Sequence, residues 1–252
     1  MGSFISNFQT TAELASFSAT TAFQRPHVSL TKDDKQVHFF QDPYSGHEYV
    51  EIGGLKWATM NVGANSITDY GQYFAWGDTQ GYTADQVSGS STPHKDLSWK
   101  DYKYGNGTSS PGATGMTKYN STDGKTVLDL SDDAARANWG GAWRMPTVEE
   151  FQALGAVCST AWTTDYQGSG VSGLVCTVTA DTADNGKTLF FPAAGYCGGG
   201  GVYRVGSSGY YWSSSLNSSS VSNARYLSFD SGYVGWDDSS RSFGFAVRGV
   251  VG

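Results

Sequence analysis

Residues 195–250 interleave two vocabularies, and together they limit this region to short strands and turns on an apolar frame. The frame is Gly195-Tyr196, Trp212-Ser213-Ser214, Leu227, Phe229, Ser231-Gly232, Val234, Trp236 and Gly244-Phe245-Ala246-Val247-Arg248. Between these positions stand Tyr, Ser, Asp, Gly and Arg. From Cys197 to Arg248 there is no Lys, Glu, Gln, Met, Pro, His, Thr or Ile, although Thr, Lys, Glu and Gln are frequent earlier in the chain. Ordinary exposed strands use Thr, Lys and Glu freely, so the absence needs a cause. Binding surfaces use Tyr for rigid amphipathic area and Ser and Gly for adaptable polar contacts.

A chain of 252 residues can form one large domain, or a large and a small one, around a sizeable core. With 33 Gly, 14% aromatic and only 15% charged residues, it reads as loop-rich or β-rich and globular. The net charge of −7 offers no basic excess for phosphates, so nucleic acid is not an expected partner. No apolar run nears the roughly 20 residues of a membrane-spanning helix, so no membrane insertion is expected. The first residues show neither a positive n-region nor an apolar h-region, which predicts no secretory signal. Cys158, Cys176 and Cys197 form no C-x-x-C; buried free thiols are favoured over a Cys158–Cys176 bridge, and a reducing cytosol is the expected site of synthesis.

Two parts are expected, 1–46 and 47–252. In the first, residues 10–17 read as a short helix, and 27–30 and 36–40 as strands flanking a polar turn. In the second, residues 48–58 carry a hairpin signal around Gly53-Gly54. Residues 69–78 read as a buried strand with its turn, and 79–125 as a long surface insertion with little regular structure. Residues 132–138 suggest a helix capped by Ser131. Thr147 and Glu150 form a capping box for a second helix, with Gly155 marking its end. Strands are expected at 173–178, 188–191, 209–212, 224–229 and 244–248.

Residues 47–252 resemble the Fibrobacter succinogenes major paralogous type of C-type-lectin-like domain. The resemblance rests on Trp57-Ala58-Thr59-Met60-Asn61-Val62-Gly63-Ala64, Tyr70-Gly71-Gln72-Tyr73-Phe74-Ala75-Trp76-Gly77, Asp133-Ala134-Ala135 and Trp139-Gly140-Gly141-Ala142-Trp143-Arg144-Met145-Pro146-Thr147. It continues through Phe191-Pro192-Ala193-Ala194-Gly195-Tyr196, Tyr211-Trp212-Ser213-Ser214 and Gly244-Phe245-Ala246-Val247-Arg248. It implies an α+β, C-type lectin-like fold with one or two helices, a twisted antiparallel sheet and long loops. Separately, Arg25-Pro26-His27-Val28-Ser29-Leu30 and Val37-His38-Phe39 resemble a short module on structural proteins of phages and prophages of gut Bacteroidales. That resemblance implies an attachment module of helix plus β-hairpin, making virion or homo-oligomer contacts; an ordinary small hairpin is the alternative.

Within this family the tail, about 197–243, is similar to the variable region of proteins diversified by a retroelement. There, template adenines are randomised, and an Asn codon can become many residues but never Lys, Glu, Gln, Met or Trp. This covers part of the missing vocabulary; the absent Pro, His, Thr and Ile stay unexplained. The ligand-binding positions implied are Tyr203, Arg204, Ser208, Tyr210, Ser218, Ser220, Ser222, Tyr226, Ser228, Asp230, Tyr233, Gly235, Asp237, Asp238, Ser240, Ser242 and Phe243. Each is reachable from an Asn codon. Period-two alternation predicts Tyr226, Ser228 and Asp230 on an exposed face, with Leu227 and Phe229 inside. Trp143, Trp212 and Trp236 are expected in the core. Tyr203, Tyr210, Tyr226 and Tyr233, with Phe243 and Arg204, are the expected anchors.

No catalytic residues, cofactor or metal are expected. The related formylglycine-generating enzymes use two cysteines toward the C-terminal end, and here only Cys197 lies in that region. Trp236-Asp237-Asp238 resembles the Trp-Asn-Asp of calcium-dependent lectins, but their Glu-Pro-Asn loop has no counterpart. Gly198 to Gly201 lacks the strand–loop–helix frame of a phosphate loop and reads as a flexible or diversified loop. The expected function is non-enzymatic: recognition of a bacterial surface protein or glycan, from a phage tail or an extracellular surface. The alternatives are a cell-surface adhesin of the same domain type and an oxidase-like relative.

Overall fold

The computed structural model describes residues 26–32, 35–40 and 46–252. The chain forms two compact units, Met1–Gly46 and His47–Gly252. In the first, β1 (Pro26–Lys32) and β2 (Lys35–Phe40) pair antiparallel, with Leu30 opposite Val37. The helix expected at 10–17 lies outside the described residues.

The second unit is α+β, and all of its strand ladders are antiparallel. β3 (Tyr49–Ile52) and β4 (Leu55–Asn61) meet at Gly53-Gly54, where φ of 62° and 80° meets the left-handed demand of a two-residue hairpin turn. β4 also pairs with the C-terminal β13 (Arg248–Val251), so both ends of the unit share one sheet in the order β13-β4-β3. A second sheet has the order β5-β6-β7, from Cys158–Thr163, Gly173–Val178 and Thr188–Pro192. Two further assemblies complete the set: the short hairpin of β8 (Tyr196–Gly198) and β9 (Gly201–Tyr203), and the sheet β10-β11-β12 from Ser208–Leu216, Asn223–Asp230 and Val234–Ser240, whose strands are the longest as a group. The single twisted sheet expected is thus divided into four.

Three α-helices are described: α1 (Ala84–Ser88), α2 (Ala134–Trp139) and α3 (Val148–Val157). Thr147 and Glu150 form the capping box of α3, while Phe151 and Leu154 enter the core. Arg144 donates to both Glu150 oxygens at 2.7 and 2.5 Å. Gly155 does not end α3. It lies under Trp236, whose ring would stand 2.8 Å from a Cβ there, so this glycine serves close approach. Asp133, not Ser131, caps α2: its carboxylate accepts from the Arg136 amide at 3.0 Å and from the Met145 amide at 2.7 Å.

The insertion at 79–125 is not merely a surface feature. Tyr82, Val87, Leu97, Tyr102, Tyr104, Met116 and Tyr119 are buried, and α1 carries its own capping box. Aromatic anchors spaced through a Ser/Thr/Gly background give no period, so the segment reads as loop although it is pinned into the core. Asp132 supplies one of the pins. Burial alone would raise its carboxyl, but hydrogen bonds from Lys118, Tyr104, Tyr119 and Lys103 hold it well below the usual carboxylate range. The segment at 69–78 forms isolated bridges, Tyr73–Tyr82 and Phe74–Phe245, in place of a continuous strand. At 244–246 the chain likewise forms isolated bridges before β13 begins at Arg248.

Arg248 closes the unit. Its side chain is fully buried, and it donates to the Ala58, Thr59 and Phe190 carbonyls and twice to Asn61 Oδ1, all within 3.0 Å. No carboxylate among the described residues pairs with it; burial lowers the guanidinium to about 10, still cationic at neutral pH. Arg248→Met should cost about 3 kcal/mol or more in urea unfolding, because it strands buried acceptors of β4 and β7. Arg248→Lys should recover only part, since an ammonium presents three donors from one point. A second outcome concerns Glu150. Burial pushes its carboxyl up, but the bonds from Arg144 and the Thr147 amide outweigh that and lower it. A lowered folded value stabilises above the unfolded carboxyl's pKa and is lost as pH falls through the folded one. Glu150→Gln should therefore cost about 1 kcal/mol at neutral pH, a difference that closes in unfolding curves taken progressively below about pH 4.3.

Candidate recognition face

The strand register of β10-β11-β12 sorts its side chains onto two faces. Tyr211 lies opposite Leu227, which lies opposite Trp236; this face packs inward, with Tyr211 stacked on Phe229 at 5.8 Å and Trp236 over Gly155 of α3. The other face holds Trp212 and Asp237 on either side of Tyr226, and Tyr210 and Gly235 on either side of Ser228. The buried base of this second face is Trp212 stacked on Phe245 at 4.1 Å, with Tyr226 edge-on to Phe245 at 4.8 Å.

From that base the aromatic rings continue outward. Tyr210 stands 5.8 Å from Tyr226, Tyr196 5.1 Å from Tyr210, and Tyr203 5.2 Å from Tyr196, while Phe243 flanks Tyr196 at 5.8 Å. Tyr203, at 47% exposure, is the open end of this run, and Tyr233, at 48%, joins the face through Gly235 and Asp237. The structure therefore brings together Tyr203, Tyr210, Tyr226, Ser228, Tyr233, Gly235, Asp237 and Phe243. Tyr196, which the sequence pattern places in the frame, belongs to the same cluster.

Glycines set the pose of both open tyrosines. A Cβ at Gly201 would overlap the Tyr203 hydroxyl, and one at Gly235 would overlap the Tyr233 hydroxyl. Each ring thus lies over the glycine two residues away, Tyr203 back over Gly201 and Tyr233 forward over Gly235. Gly235 is buried for this reason: Tyr233 covers it, and the Tyr233 hydroxyl reaches Asp237 at 3.2 Å. The run from Gly198 to Gly201 is the β8–β9 turn, with positive φ at Gly199 and Gly200, and not a free loop. Gly198 also makes room for Phe243, whose ring would stand 2.8 Å from a Cβ there.

The other expected positions lie elsewhere. Tyr226 itself is only 9% exposed, because Phe245 and Trp212 pack against it; its face is a packed cluster and not an open sheet. Arg204 is exposed beside Tyr203, in the turn after β9, with φ of 60°. Ser208 is buried, and Asp230, its register partner, accepts from the Gly232 amide at 2.8 Å to hold the β11–β12 turn. Ser218, Ser220 and Ser222 lie in the β10–β11 connection, where Ser218 lines a polar cleft of about 380 Å³ with Glu149, Gln152 and Arg225. Ser240 sits opposite Asn223, at the end of the sheet away from Tyr233. Ser242 is 1% exposed, and its hydroxyl has no protein partner among the described residues. Asp238 points away from Asp237, accepting from Asn223 at 2.7 Å with Arg225 at 3.7 Å. The two carboxylates of Trp-Asp-Asp lie on opposite faces and cannot converge on one cation.

Arg241 is the residue that the sequence reading passes over. Fully buried, it donates to the Tyr102 hydroxyl, to the Lys118, Tyr119 and Val221 carbonyls, and stacks over Trp76 at 4.9 Å. It ties the insertion to the end of β12 and to the 217–222 connection. Its partners lie as many as 139 residues away, and a lone Arg in a Ser-rich run carries no local signal.

Residues 178–250 match a family model described as Domain of unknown function (DUF8237). The match covers most of the aromatic face, from Tyr196 to Phe245. No curated protein and no solved structure matches the chain.

Gly235→Ala isolates the role of this glycine. The overlapping atoms are the far end of an exposed side chain that can turn out to solvent, so stability should change by less than about 1 kcal/mol. Tyr233 should swing off the strand and lose Asp237, which nuclear Overhauser contacts between its ring and residue 235 would register.

Proposed function

We propose that this chain is a non-enzymatic recognition protein, with a C-type-lectin-like fold in residues 47–252 and a retroelement-diversified surface. The observation that carries the reading is the aromatic cluster spanning β8 to β12. Open tyrosines at its edges are held in set poses over glycines, on a buried base of Trp212 and Phe245. Rigid phenols lose little conformational entropy on binding and dominate contact energies in protein recognition. The motif resemblance, the α+β architecture and the codon-restricted vocabulary all favour the same reading. Cys197 favours it over an oxidase: burial pushes this thiol up to about 12, whereas a nucleophilic cysteine needs a lowered value.

The setting we propose is a phage virion, with the N-terminal hairpin β1–β2 in the attachment module and a bacterial surface protein or glycan as the ligand. No helix among the described residues is long and apolar enough to cross a membrane. A combined glycan and protein array, read with the parent, Tyr203→Ala and Tyr233→Ala, tests the face. For at least one tyrosine the ligand retained by the parent should bind about 30-fold more weakly, while both variants unfold within about 1 kcal/mol of the parent. Equal binding by all three would remove the face from consideration. Sequences from several isolates should differ at Tyr203, Tyr210, Tyr226, Tyr233 and Asp237 while Trp212 and Phe245 stay constant; changes spread evenly along the chain would contradict diversification.

A further inference from the structure

The corner of the face at Tyr226, Tyr233 and Asp237 has a chemistry of its own. Asp237 lies directly across the strand pair from Tyr226, a separation at which Cβ atoms stand about 5 Å apart. Tyr233 precedes it by four residues, immediately before β12, and its hydroxyl spans the side-chain-free Gly235 to reach the carboxylate at 3.2 and 3.4 Å. Two phenol rings therefore flank one carboxylate, and one of those rings is 48% exposed.

No Lys, Arg or His among the described residues pairs with Asp237, although its neighbour Asp238 has Arg225 on the opposite face. The carboxylate's field is felt by both rings. Burial raises the Tyr226 phenol first and Asp237 raises it further, and the same two causes, in that order, raise Tyr233. Two electron-rich rings beside a carboxylate with no cation partner form an environment that lacks one component, a positive charge. Aromatic faces attract cations within about 6 Å, and a carboxylate beside them adds its own Coulombic attraction. A neutral polar group can donate to the Asp237 carboxylate but gains nothing from its charge beyond that one hydrogen bond, whereas a cation gains both the pairing and the ring face.

We propose that this corner takes a cationic group of the ligand, an alkylammonium or guanidinium such as a lysine or arginine side chain presents. The charge lies against the exposed Tyr233 ring and pairs with Asp237, while Gly235 holds the ring flat enough to receive it. This deepens the recognition reading and rests on it. The cation pocket is the specificity-setting end of the aromatic face, and the rings from Tyr210 to Tyr203 contribute apolar contact.

The test uses the full chain with carbon-13-labelled tyrosine, its ring signals assigned through Tyr226→Phe and Tyr233→Phe. It is titrated with n-butylammonium chloride, n-butylguanidinium chloride and the neutral isostere n-butanol at constant ionic strength. Both cations should move the Tyr226 and Tyr233 signals in a saturable way, and butanol should not. Asp237→Asn should weaken cation binding about five-fold or more, and Asp238→Asn, which removes the same charge from the opposite face, should change it less than about two-fold. The spectrum without ligand reports the fold of each variant. Equal response to butanol, equal losses in the two Asn variants, or no response at any concentration that leaves the fold intact would each overturn the cation assignment. The array with Tyr203→Ala and Tyr233→Ala reads binding irrespective of charge. A face that binds there but ignores cations would sink this inference alone, whereas tyrosine variants that bind like the parent would sink the recognition reading itself.

Discussion

The rest of this structure depends on how buried, irregular backbone is hydrogen-bonded. Long stretches of the second unit lack ladders of their own, yet they run through the core, where an unpaired carbonyl costs as much as a lost hydrogen bond. Side-chain donors fill the need. Arg248 serves three carbonyls across β4 and β7, and Arg241 serves three more between the insertion and the 217–222 connection. The indoles of Trp76 and Trp212 donate to Ser213 and Phe74 carbonyls at 2.8 Å each, and the hydroxyls of Tyr73, Tyr102 and Tyr211 reach Ala194, Trp76 and Pro192. Aromatic residues thus do two jobs at once, filling volume and completing the backbone's bonds. Neither arginine pairs with a carboxylate among the described residues, and each desolvated charge is offset by carbonyl dipoles and ring faces.

This arrangement explains how a surface made of tyrosine and serine can sit on a loop-rich chain without losing its shape. The base of the aromatic face, Trp212 and Phe245, is held by bonds to the Phe74 backbone, from the Trp212 indole and the Phe245 amide. Changes at Tyr203, Tyr233 or Asp237 do not touch those bonds. Tyr226 is intermediate, since it belongs to the face and also packs on the base. The glycines act between the two layers: Gly201 and Gly235 remove a side chain so that a neighbouring ring can lie in its place. Rings already fixed by packing lose less freedom on meeting a ligand.

Strand parity also decides the electrostatics. Asp237 and Asp238 are adjacent in the chain, and a period of two sends them to opposite faces. Asp238 becomes half of a surface ion pair with Arg225, while Asp237 stands among phenols with only Tyr233 for a described partner. The same parity carries Trp236 inward onto α3 and gives Gly155 its reason.

Local features are legible in the sequence. The Gly-Gly hairpin between β3 and β4, the capping box of α3 and the span of β6 follow from turn chemistry, capping and periodicity, which act over a few residues, whereas the α+β class is implied by the motif resemblance. The alternation of Leu227 and Phe229 against Ser228 was likewise readable, and it carries on to Asp237. Burial was not readable where it depends on distant segments. Tyr226 is covered by Phe245, Ser208 and Ser242 lie inside, and the insertion sinks Tyr102, Tyr104 and Tyr119 into the core despite a loop-like composition. Composition and spacing determine which elements form and which residue types can face a ligand. Only the tertiary structure decides which of them do, because coverage, the partners of Arg241 and Arg248 and the pose of each tyrosine are set by residues far away along the chain.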